Sequence, residues 1–165
     1  MLKLDFFNKT KEGISSKIFE RAILAAEKII GDKISHGTGF KDASIGLIFI
    51  GDEEMHGMNF SHRNMDKPTD VLSFSYLEKA QFPYELGIDE FMDSVGEVFI
   101  SVDTAKRQAK EQKHSFEEEI ITLFIHGLLH VFGYDHERSL AEEKLTEKLT
   151  LEIKKEYDKI SRAGK

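Results

Sequence analysis

The segment from Phe116 to Phe132 constrains the fold more than any other part of this sequence. Ser115 and Glu118 match the capping box that starts helices, in which the serine hydroxyl accepts a hydrogen bond from the amide three residues later. Gly133 follows the segment and is the residue type that ends helices in the left-handed conformation. The pattern predicts one helix between these two signals.

Two histidines lie four residues apart in the predicted helix. This spacing places His126 and His130 on one helix face, close enough to share a tetrahedral metal ion. Gly133 allows the chain to reverse direction, so that His136 can return to the same ion from the loop. The spacing H-x3-H-x2-G-x2-H is typical of zincin-type sites. We therefore expect His126, His130 and His136 to be metal ligands.

A set of three ligands indicates a catalytic metal. Structural zinc sites are usually closed by four protein ligands, whereas catalytic sites keep one position open. The chain contains no cysteine that could close this one. An all-histidine set favours zinc over the iron sites that include a carboxylate. Because zinc lowers the pKa of a water molecule that it binds, the sequence predicts one Zn²⁺ per chain and a hydrolytic reaction.

The same spacing occurs in the metzincin peptidases, H-E-x-x-H-x-x-G-x-x-H, with one important difference. Gly127 stands where those enzymes carry the glutamate that acts as general base. All five methionines lie before the motif, so the methionine turn that follows it in those enzymes is missing as well. A zinc peptidase remains an alternative, but without its usual base.

Length and composition bound the remaining possibilities. The 165 residues fit a single domain, 1–165, and no linker or repeat divides them. The absence of cysteine excludes disulfide scaffolds, iron–sulfur clusters and thiol nucleophiles. The longest apolar run, Ile45 to Ile50, is far shorter than the ~20 residues of a membrane span. Residues 1–13 alternate in polarity, unlike a signal peptide. We expect a cytoplasmic protein with no membrane partner.

The charge distribution gives weak guidance on partners. A net charge of −7 argues against wholesale binding of nucleic acid, which requires a positive surface. Lys106, Lys110 and Lys113 recur on one predicted helix face, with Arg107 beside them. A solvated helix face is favoured over an RNA-binding patch for such a pattern.

Hydrophobic periodicity predicts the other elements. A helix follows Ser15 or Ser16 and ends at Gly31, and Asp52 is expected to cap a short second helix. Ser139 with Glu142 forms a second capping box and predicts a helix after the histidine motif. Strands are predicted at Leu2 to Phe7, Ser44 to Ile50, Val71 to Phe74 and Val95 to Ser101.

The histidine motif resembles the signature of the YbeY endoribonucleases, H-G-x-L-H-x-x-G-Y-D-H, and residues 126–136 match it in full. A second segment is similar to the family's pattern of Asn, Arg and D-x-P-T-D-V-L-S-F, and a third, SVGEVFIS at 94–101, resembles a family strand. Three positions depart from the usual residues: His62 replaces a tyrosine, Ser75 a proline and Glu97 an aspartate. The second segment is matched by Asn59, Arg63, Asp66, Pro68, Thr69, Asp70, Val71, Leu72, Ser73 and Phe74.

This resemblance implies an α+β fold, with a mixed four-stranded sheet, packed helices and a zincin-like metal helix. It implies a zinc-dependent endoribonuclease directed at single-stranded RNA, acting on ribosomal RNA of the small subunit in its maturation and in ribosome quality control. DNA is not expected as a partner. By the same resemblance Arg63 and His126 are the expected catalytic residues, and a guanidinium can clamp a phosphodiester through two parallel hydrogen bonds.

Several alternatives stay open at this point. The chain could be a non-catalytic ribosome-assembly factor in which the metal is structural. Asp135 could orient water or a ligand histidine, or cap a turn, and the 2′-hydroxyl of the RNA could make a protein base unnecessary. Thr69 and Asp70 are expected to bond local backbone. Surface or packing roles are favoured for the remaining histidines: His36, His56, His62 and His114.

Overall fold

The computed structural model describes residues 1–38, 42–77, 94–134 and 139–164 of the chain. Within these ranges the fold is α+β, as expected, and contains five helices and a four-stranded sheet. The elements in chain order are β1 (Leu2–Asn8), α1 (Ser16–Thr38), β2 (Ala43–Ile50), α2 (Asp52–Arg63), β3 (Val71–Ser75), β4 (Ser94–Ser101), α3 (Val102–Gln112), α4 (Phe116–Val131) and α5 (Leu140–Ala163).

The sheet is mixed and has the strand order β1-β2-β4-β3. β2 pairs in parallel with β1 and β4, whereas β3 runs antiparallel to β4 and forms an edge. Alternate side chains of the central strand β2 point to opposite faces. Ile45, Leu47 and Phe49 enter the main core under α1 and α4, while Ile48 and Ile50 join a small second cluster with Met55 of α2. Both faces of the sheet are therefore covered.

Helix α4 lies at the centre of the main core. Its apolar residues are buried on several sides, and the Phe124 ring meets the Phe19 ring of α1 edge-on, with 5.3 Å between the centroids. Phe19 in turn packs on Phe49 of β2 at 5.5 Å. These contacts join α1, α4 and the sheet into one core, which fixes the position of the helix that carries the histidines.

Two glycines allow α4 to approach β4 closely. A Cβ atom on Gly127 would lie only 2.6 Å from Cγ1 of Val98, and one on Gly96 would lie 2.9 Å from Cγ1 of Val131. On α4, Gly127 is followed one turn later by Val131. On β4, Gly96 is followed two residues later by Val98. Each valine occupies the space left by the opposite glycine.

Two sequence-based expectations about the first two helices were wrong. Helix α1 does not end at Gly31: it kinks at Ile30 (φ −123°, ψ 25°) and continues to Thr38, because Ile34 still packs into the core at 4% exposure. Asp52 does not cap α2, since the N-cap is Gly51 and no side chain caps the helix. Asp52 is the first helical residue and its carboxylate binds elsewhere.

The Asp52 carboxylate holds the start of α3. It accepts hydrogen bonds from the hydroxyls of Ser101 (2.7 Å) and Thr104 (2.6 Å), and it pairs with Arg107 at 2.8 Å. Burial raises the pKa of this carboxyl, but the two hydroxyls and the guanidinium outweigh burial, so the pKa is lowered. An acidic residue predicted as a helix cap thus links α2 to α3 and β4.

The two predicted capping boxes are formed at their serines. The amide of Glu118 donates to the Ser115 hydroxyl (3.0 Å), and that of Glu142 donates to the Ser139 hydroxyl (3.2 Å). Helix α4 ends at Val131, and Gly133 shortly after it adopts the predicted left-handed conformation (φ 84°). No helix within the described part of the chain has the length and apolarity needed to cross a bilayer.

Candidate active site

Helix α4 presents His126 and His130 to a cleft of about 750 Å³. Both side chains are partly exposed, one helical turn apart, with Cβ atoms about 6 Å from each other by helix geometry. The cleft follows the edge strand β3, and the end of α2 and the C-terminal half of α3 complete its rim. Its lining also includes His62, Arg63, Thr69, Asp70, Val71, Leu72, Ser73, Phe74, Gln108, Gln112, His114, Glu118, Glu119, Thr122, Leu123 and Lys154.

Arg63 reaches the cleft because α2 ends at this residue. Asn64 adopts the left-handed conformation (φ 53°). Its amide donates to the carbonyl of Phe60 (3.0 Å), and the amide of Met65 donates to the carbonyl of Asn59 (3.4 Å). The buried Asn59 amide then donates to the carbonyl of Lys67 at 2.7 Å, which folds the following loop back onto the helix. The Asn and Arg of the second motif are therefore parts of one local structure that places an exposed guanidinium at the rim.

Thr69 and Asp70 combine a local structural role with a position in the cleft. The Asp70 carboxylate accepts hydrogen bonds from the amide of Val71 (2.8 Å) and from the Thr69 hydroxyl (3.3 Å), as expected for residues at the start of a strand. The Asp70 carbonyl accepts from the amide of Ser101, which fixes β3 against the end of β4. Both side chains nevertheless line the cavity.

The cleft also contains a pair that sequence reasoning missed. Nε2 of His114 lies 2.9 Å from Oε2 of Glu119, and Nδ1 lies 3.2 Å from the carbonyl oxygen of Ser115. Burial raises the pKa of Glu119; the charges of Asp70 and Glu118 also raise it, and His114 and Lys154 partly offset these effects. A surface or packing role was favoured for His114, whereas the structure places it in the cleft beside a buried carboxyl.

One periodic signal could have indicated Glu119, although not its partner His114. Glu119 precedes His126 by seven residues, which is about two helical turns, so the two residues share a face of α4. A carboxylate is expensive to bury, and one that shares a helix face with a candidate metal ligand is a candidate site residue. The five-residue separation between His114 and Glu119 spans the helix start and carries no comparable signal.

Two residues of the predicted metal motif, His136 and Asp135, lie outside the described residues. Within residues 1–38, 42–77, 94–134 and 139–164, no group of three or more His, Asp or Glu side chains is arranged to hold a metal ion. The imidazoles of His126 and His130 suit a metal ion by their chemistry and by their shared helix face. A complete site requires at least one further ligand.

The position of Gly127 argues against a peptidase site. A peptidase of the metzincin type needs a glutamate there, directed at the metal. At Gly127, however, the Cβ position points at the fully buried Val98 side chain of β4, only 2.6 Å from Cγ1 and 3.0 Å from Cγ2. A glutamate would have to enter the packed sheet, so the usual base cannot be accommodated in this arrangement.

Two of the positions that depart from the family pattern make specific contacts outside the reacting centre. The Ser75 hydroxyl donates to the carbonyl of Val131 at 2.8 Å and so ties β3 to the end of α4. The Tyr76 hydroxyl donates to Glu97 at 2.7 Å, and burial together with this carboxylate raises the pKa of Tyr76 to about 12. Glu97 is not among the residues that line the cleft.

The basic side of α3 does not form the cleft wall. Lys106 pairs with Glu12, and Arg107 pairs with Asp52. The α3 residues that line the cavity are Gln108 and Gln112. This agrees with the favoured interpretation of the lysine pattern as a solvated helix face.

Comparisons with known proteins identify the family. The family model described as Endoribonuclease YbeY matches residues 6–158. The Endoribonuclease YbeY of Desulforamulus reducens is 39% identical over 129 residues, which cover 78% of this chain and 81% of that protein. That of Streptococcus mutans is 34% identical over 153 residues, covering 86% and 88%. The solution structure of TM1509 from Thermotoga maritima is similar with a TM-score of 0.57 at 26% identity, covering 96% of this chain and 93% of that one. This chain therefore belongs to the YbeY endoribonuclease family, whose members are hydrolytic nucleases.

Proposed function

We propose that this chain is a zinc-dependent endoribonuclease that cleaves single-stranded RNA, with ribosomal RNA of the small subunit as its substrate in maturation and quality control. One observation carries the proposal: a single cleft holds the two imidazoles of α4 and the guanidinium of Arg63. We further propose that one domain, 1–165, performs this function in the cytoplasm, where ribosomes are assembled.

His126 and His130 are proposed as two ligands of the zinc ion, with His136 as the third. The support is the shared face of α4, the cleft that both side chains line and the three-histidine spacing of the sequence. When bound, zinc supplies Lewis acidity and activates water for hydrolysis. The close contacts of Gly127 with Val98 and of Gly96 with Val131 fix the position of α4, which carries both histidines, against β4.

Arg63 is proposed to bind the phosphodiester that is cleaved. Its guanidinium carries a permanent charge and can donate two parallel hydrogen bonds to phosphate oxygens. The left-handed Asn64 and the Asn59 side chain fix the end of α2, so the backbone that carries Arg63 is well defined. A cation placed in this way stabilises negative charge that grows on the phosphate oxygens during cleavage.

The cleft size favours an unpaired substrate. A volume of about 750 Å³ lies within the range that encloses small-molecule ligands, which suits individual nucleotides of an unpaired strand better than the full width of a duplex. Much of the lining consists of hydrogen-bonding side chains such as Gln108, Gln112 and Thr122, which suit base edges and ribose hydroxyls. Bases must be separated from a partner strand to reach these groups.

The proposal is tested by cleavage of a labelled single-stranded RNA, with metal analysis of the same protein samples. We expect His130→Ala to lose both zinc and cleavage, and Arg63→Ala to keep zinc but lose cleavage by about 10²–10³-fold, the range seen when one transition-state donor is removed. Arg63→Lys keeps the positive charge but cannot donate two parallel hydrogen bonds to a phosphate. Its activity should therefore lie between that of Arg63→Ala and that of the wild type. His36→Ala alters an exposed histidine of α1 outside the cleft and should behave as the wild type.

Three outcomes would contradict the proposal. Equal cleavage by the metal-free protein would exclude a zinc enzyme, and zinc-dependent cleavage of casein with no action on RNA would revive the peptidase. A protein that melts when zinc is removed, binds ribosomal RNA and never cuts it would be an assembly factor with a structural metal.

A further inference from the structure

We propose that the imidazole of His62 stacks on a base of the RNA next to the phosphate bound at Arg63, and that this contact selects unpaired nucleotides. The inference rests on the proposed function and deepens it, because it names the part of the substrate that the cleft recognises. His62 and Arg63 are consecutive residues in the last turn of α2, and both line the cleft. One is an aromatic ring and the other a cation, which are the two groups that single-stranded RNA recognition combines.

The His62 ring is exposed yet held in a defined orientation. It packs on the Phe74 ring of β3 with 5.0 Å between the centroids and 66° between the planes. Phe74 packs edge-on against Phe99 of β4 at 5.8 Å and 83°. Phe74 and Phe99 also contact the small buried cluster formed by Ile48, Ile50, Met55 and Leu72. A row of aromatic rings therefore connects an exposed imidazole to the core.

This support lowers the cost of binding. A flexible side chain loses rotamer freedom when a ligand orders it, whereas a ring already fixed by its neighbours loses less. In edge-to-face packing the His62 ring contacts Phe74 and can leave a face of its own directed at the cleft. Aromatic side chains of this kind bind unstacked bases largely without regard to sequence, because every base has a flat face.

The proposed contact explains how a small cleft could reject duplexes. A base within a duplex is already stacked on both sides and presents only its edges to a protein. An unpaired base can turn and place one face on His62 while its phosphate meets Arg63. Discrimination against duplex RNA would then arise from the stacking face and not from the volume of the cleft alone.

Steady-state cleavage of labelled single-stranded RNA by the full-length, zinc-loaded protein tests the inference. We expect His62→Ala to raise KM by about 5- to 150-fold, the effect of losing one base–aromatic stack, with kcat changed much less. His62→Phe should restore KM to within a few-fold of the wild type, since it keeps a ring but has no charge or hydrogen-bonding group. With unlabelled RNA as competitor, the wild type should be inhibited much more strongly by single-stranded RNA than by duplex RNA. In His62→Ala this preference for the single strand should be smaller.

His56→Ala is the matched control. His56 lies on the same helix and binds Asp66 at 2.6 Å, but it does not line the cleft, so its replacement should leave KM unchanged. An unchanged KM in His62→Ala would overturn the inference. Failure of His62→Phe to restore KM would also overturn it, because the imidazole would then act through charge or hydrogen bonding. In both of these results the wild type still cleaves RNA and the proposed function stands, whereas a wild type without cleavage contradicts the proposed function itself.

Discussion

Replacing Gly127 by alanine tests the close contact on which the position of α4 depends. The added Cβ would lie 2.6 Å from Cγ1 and 3.0 Å from Cγ2 of Val98, which is fully buried on β4. Ordinary contacts between carbon atoms are about 3.5–4.0 Å, so one group must move by roughly 1 Å. Val98 is β-branched and has little rotational freedom, so the strain falls on the helix–sheet contact.

The net free energy can be worked from two opposing terms. Overpacking of a core costs about 1–3 kcal/mol. Alanine in a helix interior gains about 1 kcal/mol over glycine. Gly127→Ala should therefore destabilise the protein by about 1 kcal/mol, with an upper bound of about 2 kcal/mol. If Val98 is first shortened to alanine, the steric term disappears and Gly127→Ala should become stabilising by about 0.5–1 kcal/mol.

This change can be measured by urea unfolding of the wild type, both single variants and the double variant. The effect of Gly127→Ala on stability should differ between the two backgrounds by a coupling energy of about 2 kcal/mol. Gly57→Ala is the matched control, because Gly57 lies in α2 and an added Cβ would meet no atom within 4 Å. That variant should be more stable than the wild type. The reasoning is refuted if Gly127→Ala is as stable as Gly57→Ala, or if it has the same effect with and without Val98.

Three further predictions follow from other contacts. Asp52→Ala removes two hydroxyl hydrogen bonds and the ion pair with Arg107; it should cost about 2 kcal/mol at neutral pH. Because the folded-state pKa of Asp52 is lowered, urea unfolding should show this difference shrinking as the pH falls below about 4. Glu119 has a raised folded-state pKa, so wild-type stability should fall relative to Glu119→Gln as the pH rises above about 4.3; equal pH slopes would contradict this. Ser75→Ala removes the hydrogen bond to Val131 and should lower stability by about 1 kcal/mol, measured by urea unfolding at pH 7.

The local parts of the fold could be predicted because their signals are local. The serine caps, the left-handed glycine after α4 and the shared face of His126 and His130 all depend on residues within one or two turns. The same applies to the alternation of β2. The mixed sheet, by contrast, was expected only from the family resemblance, because strand order depends on contacts between segments far apart in the sequence.

The parts that were missed depend on tertiary contacts. Gly31 is a helix-ending residue type, yet the packing of Ile34 outweighs this local preference and α1 continues. Asp52 is a residue type that commonly caps helices. Its carboxylate instead accepts hydrogen bonds from hydroxyls of β4 and α3, and these donors are distant in the sequence. The pair of His114 and Glu119 forms where a loop meets a buried helix face, and no periodicity connects the two residues.

Zinc titration into metal-stripped protein, followed by cleavage of single-stranded RNA, tests the central claim most directly. Activity should rise with added zinc and reach its plateau at about one ion per chain, whereas His130→Ala should show neither tight zinc binding nor activity under the same conditions. Full cleavage by the stripped protein, or wild-type activity in His130→Ala, would contradict the account.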